Sequence, residues 1–175
     1  LGRPAEARAW RRAARELRRR IRRTFFDRDA GWFFDRRLGG DLVRVYGSEG
    51  WVPLWAGVAS RGEARAVART MLRPDMFATR MPLPTLAAND PRFAPVKGYW
   101  RGPVWLDQAY FGVQALRVAG HRHEADALAR ALVLQANGLA AQTPMYENYD
   151  PLTGAGHQSP NFSWAAASWL LLLGD

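Results

Sequence analysis

The chain has 175 residues, enough for one domain with its own core, and its 48% apolar and 23% charged content describes a globular protein rather than a disordered one. It has no cysteine, which excludes disulfides and thiolate metal sites, and no apolar run reaches the roughly 18 residues of a membrane span. The net charge of +9 is carried almost wholly by arginine, since Lys97 is the sole lysine.

The chain opens Leu1-Gly2-Arg3-Pro4, without Met and without the apolar run of a leader, and so reads as a piece of something longer. Its compartment stays open between bacterial cytoplasm and periplasm. Pro4 suits the first turn of a helix that the pattern carries to about Thr24. Ala7, Trp10, Ala14, Leu17 and Ile21 form one apolar stripe at helical spacing, and arginines between positions 11 and 23 fill the other side. Such a face is either solvated or binds an anionic surface. Two aromatic groups, Phe25-Phe26 and Trp32-Phe33-Phe34, flank a turn at Asp29-Ala30-Gly31 and predict short extended pieces. Gly39-Gly40 is a second turn, and positions 42–46 read as a short strand or connector.

Glu49-Gly50-Trp51 is expected to open a second helix running to about Ala59, with Gly62 as its breaker and a further helix from Glu63 to Leu72. Positions 74–96 hold four prolines between Pro82 and Pro95 and predict a long ordered loop, a kind of segment that is commonly functional. Pro103 is expected to open a helix, apolar on almost every side, that stops at Gly120. An amphipathic helix follows from Glu124 to Gln135, ended by Gly138. Ser159 as N-cap and Pro160 as first residue predict a last helix to about Leu173. Buried helices alternate with amphipathic ones, the pattern of two concentric helical layers with loops gathered at one rim.

Two loop clusters carry candidate chemistry. The first is Tyr99-Trp100-Arg101-Gly102-Pro103-Val104-Trp105. Its indoles can stack on the flat faces of sugars, and Arg101 can bond hydroxyls or hold a carboxylate; the same residues could equally be a helix start with its indoles in the core. The second is Tyr146-Glu147-Asn148-Tyr149, followed by turn residues Asp150-Pro151 and Thr153-Gly154. A carboxylate fixed among hydroxyl and amide groups can orient and activate a water, as the general base of an inverting glycosidase must; a surface glutamate over packed tyrosines is the plainer alternative. Trp51 and Glu49 form a weaker version of the first cluster, and Asn161, Phe162 and Trp164 could line the same rim or the core. Asp107 reads as a buried partner of an arginine or a backbone amide, with a second catalytic carboxyl as the alternative. His121, His123 and His157 show no metal-ligand spacing, and no phosphate-cradling glycine loop is present.

Three segments in order, 99–108, 147–154 and 159–164, resemble glycoside hydrolase family 63, with Glu49-Gly50-Trp51 and the loop before it also similar. The nearest look is to bacterial α-glucosidases of the family, and mannosylglycerate hydrolases and the processing glucosidase of N-glycans stand further off. The resemblance implies an all-α (α/α)6 barrel of twelve helices and an inverting mechanism. It implies Glu147 as the general base and a pocket lined by Trp51, Tyr99, Trp100, Arg101, Trp105, Asn148 and Trp164. It implies a glycoside or oligosaccharide substrate, with no cofactor, metal, nucleic acid or membrane partner. The family's general acid is an Asp far upstream of the base, before Leu1. Residues 1–175 are therefore expected to be the C-terminal part of one catalytic domain, about half a barrel, partnered by the missing N-terminal half. The competing expectation is a non-catalytic helical-hairpin scaffold that uses the arginine-rich first helix as its interaction face, with strongly salt-dependent binding.

Overall fold

The computed structural model describes residues 2–136 and 143–174. The arginine-rich helix α1 spans Pro4–Phe25 and buries no residue, so its apolar stripe stands open: Trp10 is 75% and Leu17 57% exposed. Only its last turn is tied down. There the Arg22 guanidinium donates to Glu63 at 2.7 Å, and the Phe25 carbonyl accepts from the Phe34 amide at 2.9 Å.

Strands β1 (Phe26–Asp27) and β2 (Trp32–Phe33) pair across the expected turn. The Asp27 carboxylate accepts from the Asp29 and Ala30 amides, and Gly31 takes the left-handed conformation. A second small pair, β3 (Asp35–Arg36) and β4 (Leu42–Val43), encloses Gly39-Gly40. The helix expected from Glu49 to Ala59 is shorter. A 3-10 turn over Ser48–Trp51 passes into α2, Val52–Trp55, and Gly57 at φ +63° ends it. Helix α3 spans Arg61–Met71, and Gly62 lies inside it rather than before it. The stronger signal is Ser60, which accepts from the Glu63 amide while the Glu63 carboxylate accepts from the Ser60 amide, a reciprocal cap that fixes the start.

The long proline-containing segment is ordered by its own core residues, with Phe77, Met81 and Leu83 fully buried. Gly47 forms a β-bridge with Leu86, and the buried Thr85 hydroxyl donates to the Pro103 carbonyl at 2.9 Å. Helix α4 begins at Leu106, not Pro103, and ends at Val118 before Gly120. Val104 is held extended because it exchanges both backbone hydrogen bonds with Tyr149, at 2.8 and 2.9 Å. Helix α5 spans Arg122–Ala136; the expected stop at Gly138 lies outside the described residues.

Strands β5 (Tyr146–Tyr149) and β6 (Gly156–Pro160) then form a hairpin where an open loop was expected. Ser159 and Pro160 belong to β6, so α6 starts later, at Ser163, and runs to Gly174; Asn161 at φ +57° makes the turn between them. Helices α2, α5 and α6 all pack on α4, whose Ala109, Val113 and Leu116 are fully buried. Three two-stranded sheets mean that a strictly all-α description is too narrow.

Candidate active site

The two clusters read from the sequence meet in space, and the Val104–Tyr149 bridge is the reason. It zips the segment ahead of α4 to the strand that carries Glu147. The Tyr99 hydroxyl then donates to the Glu147 carboxylate at 2.7 Å. Tyr99 adopts φ +56°, a conformation that costs a bulky residue energy and is kept only where surrounding structure enforces it. The enforcement is visible. The Trp105 indole donates to the Tyr99 carbonyl at 3.0 Å, and the backbone folds so tightly that a Cβ on Gly98 would lie 2.3 Å from the Ala94 carbonyl. The bond to Glu147 is also the main reason that the Tyr99 hydroxyl is held above the usual phenol range.

Glu147 itself sits opposite an irregularity in β6. Tyr146 pairs with Pro160 and Asn148 with His157, so Glu147 alone on β5 faces Gln158 and Ser159 on β6. Such a bulge adds one residue to its own strand and disrupts the ladder beside it. Glu147 is half-buried at the rim, while Asn148 is fully buried. The turn after the strand is closed as its residues predict. The Asp150 carboxylate accepts from the Leu152 amide and the Thr153 hydroxyl, and Gly154 takes φ +79°.

The indoles form a stepped platform beside this carboxylate. Trp105 is buried and Trp100 stacks on it at 4.2 Å, with planes 8° apart and its outer face open. Tyr99 meets Trp105 edge-on at 5.0 Å. Phe162 continues the row from Trp105 at 6.3 Å to the exposed Trp164 at 5.6 Å. An open aromatic face next to a carboxylate bonded to a hydroxyl can stack a sugar ring and present an activated water to it. Trp51 stands apart. Its ring is fully buried against Phe77 and Trp32 and leaves no surface for a ligand. Asp107 accepts from its neighbour Gln108 at 3.1 Å, not from an arginine.

Behind Trp100 lies a cleft of about 280 Å³ whose charged lining is Asp35, Glu49, Arg92 and Arg101. Arg92 is committed to Asp90 through two bonds, whereas Arg101 shows no side-chain partner among the described residues. Glu49 is open to solvent on one side, but its carboxyl is folded back over Gly47, and desolvation, helped by the charge of Asp35, pushes it up to about 7. The sequence singled out Glu49 only as a neighbour of Trp51; its pairing with Asp35 depends on the β3–β4 turn and had no local signal. An acid raised in the folded state binds its proton more tightly there than in the unfolded chain. Its contribution to stability is therefore present below pH about 4.5 and lost as pH rises through about 7. Thermal unfolding between pH 4.5 and 7.5 is expected to show a fall in Tm that Glu49→Gln reduces; an identical slope in the variant contradicts this account.

Among the described residues no group of three or more metal-binding side chains is assembled, and no helix is long and apolar enough to cross a membrane. Taken together, the helices packed on α4 carry a carboxylate and an aromatic platform at their loop rim. Residues 1–165 match the mannosylglycerate hydrolase MGH1-like glycoside hydrolase domain, and the chain belongs to that family. It is 37% identical to the mannosylglycerate hydrolase of Thermus thermophilus over 81% of its length, and 37% identical to the hydrolase MGH1 of Selaginella moellendorffii over 86%. Those matches cover 33% and 30% of the relatives, so the chain spans about a third of their length. The solved family 63 mannosylglycerate hydrolase from Thermus thermophilus, in complex with glucose, superposes with TM-score 0.74 at 32% identity, over 86% of this chain and 37% of that one. Yeast neutral trehalase, at 21% identity and TM-score 0.77, shares the fold. The structure is thus part of an (α/α)6 barrel of glycoside hydrolase family 63, as the sequence motifs implied.

Proposed function

We propose that residues 1–175 are the base-bearing part of one glycosidase catalytic domain that hydrolyses an α-glycosidic bond with inversion, Glu147 activating the attacking water. The observation that carries this reading is the 2.7 Å bond from Tyr99 to Glu147 beside the open face of Trp100, which fixes a carboxylate where a stacked sugar would lie. Trp100, Arg101 and Trp164 supply the walls of that pocket, the buried Trp105 backs Trp100, and Tyr99 holds the base. Inversion needs a second carboxyl roughly 6.5–9.5 Å away to protonate the leaving oxygen. In this reading that acid comes from outside these residues. The rest of the barrel is the partner that covers Trp10 and Leu17 on α1 and Leu170, Leu171 and Leu173 on α6, all of which stand exposed.

The relatives named as mannosylglycerate hydrolases favour a small α-mannoside bearing an acidic leaving group over the α-glucoside first expected. Proton NMR of fresh digests tests the mechanism. From α-mannosylglycerate the intact protein is expected to release β-mannose first, with the α-anomer growing in only by mutarotation. Initial release of α-mannose would overturn the assignment of Glu147 as a base, because it signals a covalent intermediate.

A further inference from the structure

Asn148 and His157 face each other across β5 and β6 and present three buried polar atoms with no partner. Both atoms of the Asn148 side-chain amide and Nε2 of His157 are unpaired in the protein's own hydrogen bonding, and Asn148 is fully buried. Leaving such groups unpaired incurs their desolvation cost, and native structures rarely tolerate it. Three of them on two directly opposed residues is a concentration that calls for a ligand. A buried water typically makes about three hydrogen bonds to otherwise unpaired groups. One amide donor, one amide acceptor and one ring nitrogen match that requirement.

We propose that Asn148 and His157 together hold one buried water, and that this polar clasp fixes the β6 bulge that faces Glu147. Asn148 is thereby a positioning residue, not a wall of the substrate pocket. The placement explains the hairpin's irregular geometry. The register slips between Tyr146 and Asn148, and Gln158 beside His157 is forced to φ +65°. Where two residues of β6 face one of β5 the ladder is locally disrupted, so the pairs beside it must hold the strands together. The Val104–Tyr149 bridge pins the hairpin on the side of α4, and the clasp pins it at the next residue pair. Between them the Glu147 carboxylate keeps the direction that meets the Tyr99 hydroxyl.

The clasp's role rests on Glu147 acting as the base, but the water does not, and the test separates the two. A high-resolution crystal structure of the intact protein is expected to show one water within about 3.2 Å of the Asn148 amide and of His157 Nε2. Direct contact between the two side chains, with no water, overturns the proposal. In kinetics, Asn148→Leu and His157→Phe are each expected to lower kcat about tenfold with KM within about twofold. The double variant should be no worse than either single one, since residues sharing one partner are non-additive. A hundredfold loss in the double variant, the product of independent effects, also overturns it. His157→Gln keeps a polar atom in place and should retain kcat within about twofold; if it falls as far as His157→Phe, the clasp is not what His157 supplies. Should Glu147→Gln prove fully active, the base assignment fails while the crystallographic outcome still decides the water.

Discussion

Glu147→Gln in the intact protein is expected to lower kcat by about 10³-fold or more with little change in KM or in thermal stability. The amide keeps the size of the carboxylate and can still accept from the Tyr99 hydroxyl, so the rim retains its shape. What is lost, in the proposed mechanism, is the negative oxygen that takes the proton of the attacking water. General-base assistance is worth about 10²–10⁴-fold, and among the described residues Glu147 is the carboxylate bonded to Tyr99; Glu49 lines the cleft that also touches Trp100, and Asp150 is spent on the turn. Stability should be spared because Glu147 is half-buried and its described side-chain bond is one rim contact to an exposed tyrosine. Tyr99→Phe serves as the graded comparison. It removes the orienting hydroxyl but leaves the base, so its loss should be smaller, about tenfold. Initial rates for both variants, with Tm measured alongside, decide the matter. Near-normal turnover in Glu147→Gln sinks the assignment, and an equal fall in Tm and kcat would make Glu147 a structural residue.

How much of this was legible in the sequence follows from the range of the interactions. The α1 stripe, the two turns and the amphipathic α5 are local patterns, and periodicity and turn residues are enough to find them. Gly62 shows the limit. A glycine there is expected to break the chain before a helix from Glu63, and only the capping pair Ser60–Glu63 tells that α3 already starts at Arg61. The start of α4 was misplaced because a first-turn proline is a local signal, whereas the Val104–Tyr149 bridge that overrides it joins residues far apart in the chain. The hairpin of β5 and β6 hid for a different reason, since its strands are polar and lack alternation. Glu147, Tyr99, Trp100 and Trp105 could be named from composition because aromatic and acidic residues are dense there. Asn148 looked like their equal, and Trp51 too; only burial separates the interior members from the rim.

The largest stability effect is expected at a residue with no side chain. Gly50 lies in the 3-10 turn of Ser48–Trp51, and a Cβ there would fall 2.1 Å from Cε2 and Nε1 of Trp32. An indole could give way at a surface, but Trp32 is fully buried, stacks on Phe77 at 5.3 Å with planes 8° apart, and meets Trp51 edge-on. Moving it displaces the aromatic core that joins β2, the 3-10 turn and the proline-containing segment. Overpacking costs about 1–3 kcal/mol where neighbours adjust and more where they cannot, against a total stability of about 5–15 kcal/mol. Gly50→Ala is therefore expected to cost 3 kcal/mol or more, to the order of magnitude that overpacking data allow. Gly62→Ala is the control. Its Cβ meets nothing within 4 Å and it sits inside α3, so relief of backbone entropy should stabilise the protein by about 0.5–1 kcal/mol. Urea unfolding of both variants, followed by tryptophan fluorescence, should move the midpoints in opposite directions. A Gly50→Ala midpoint equal to that of the unmodified protein would mean that Trp32 is not packed against this turn.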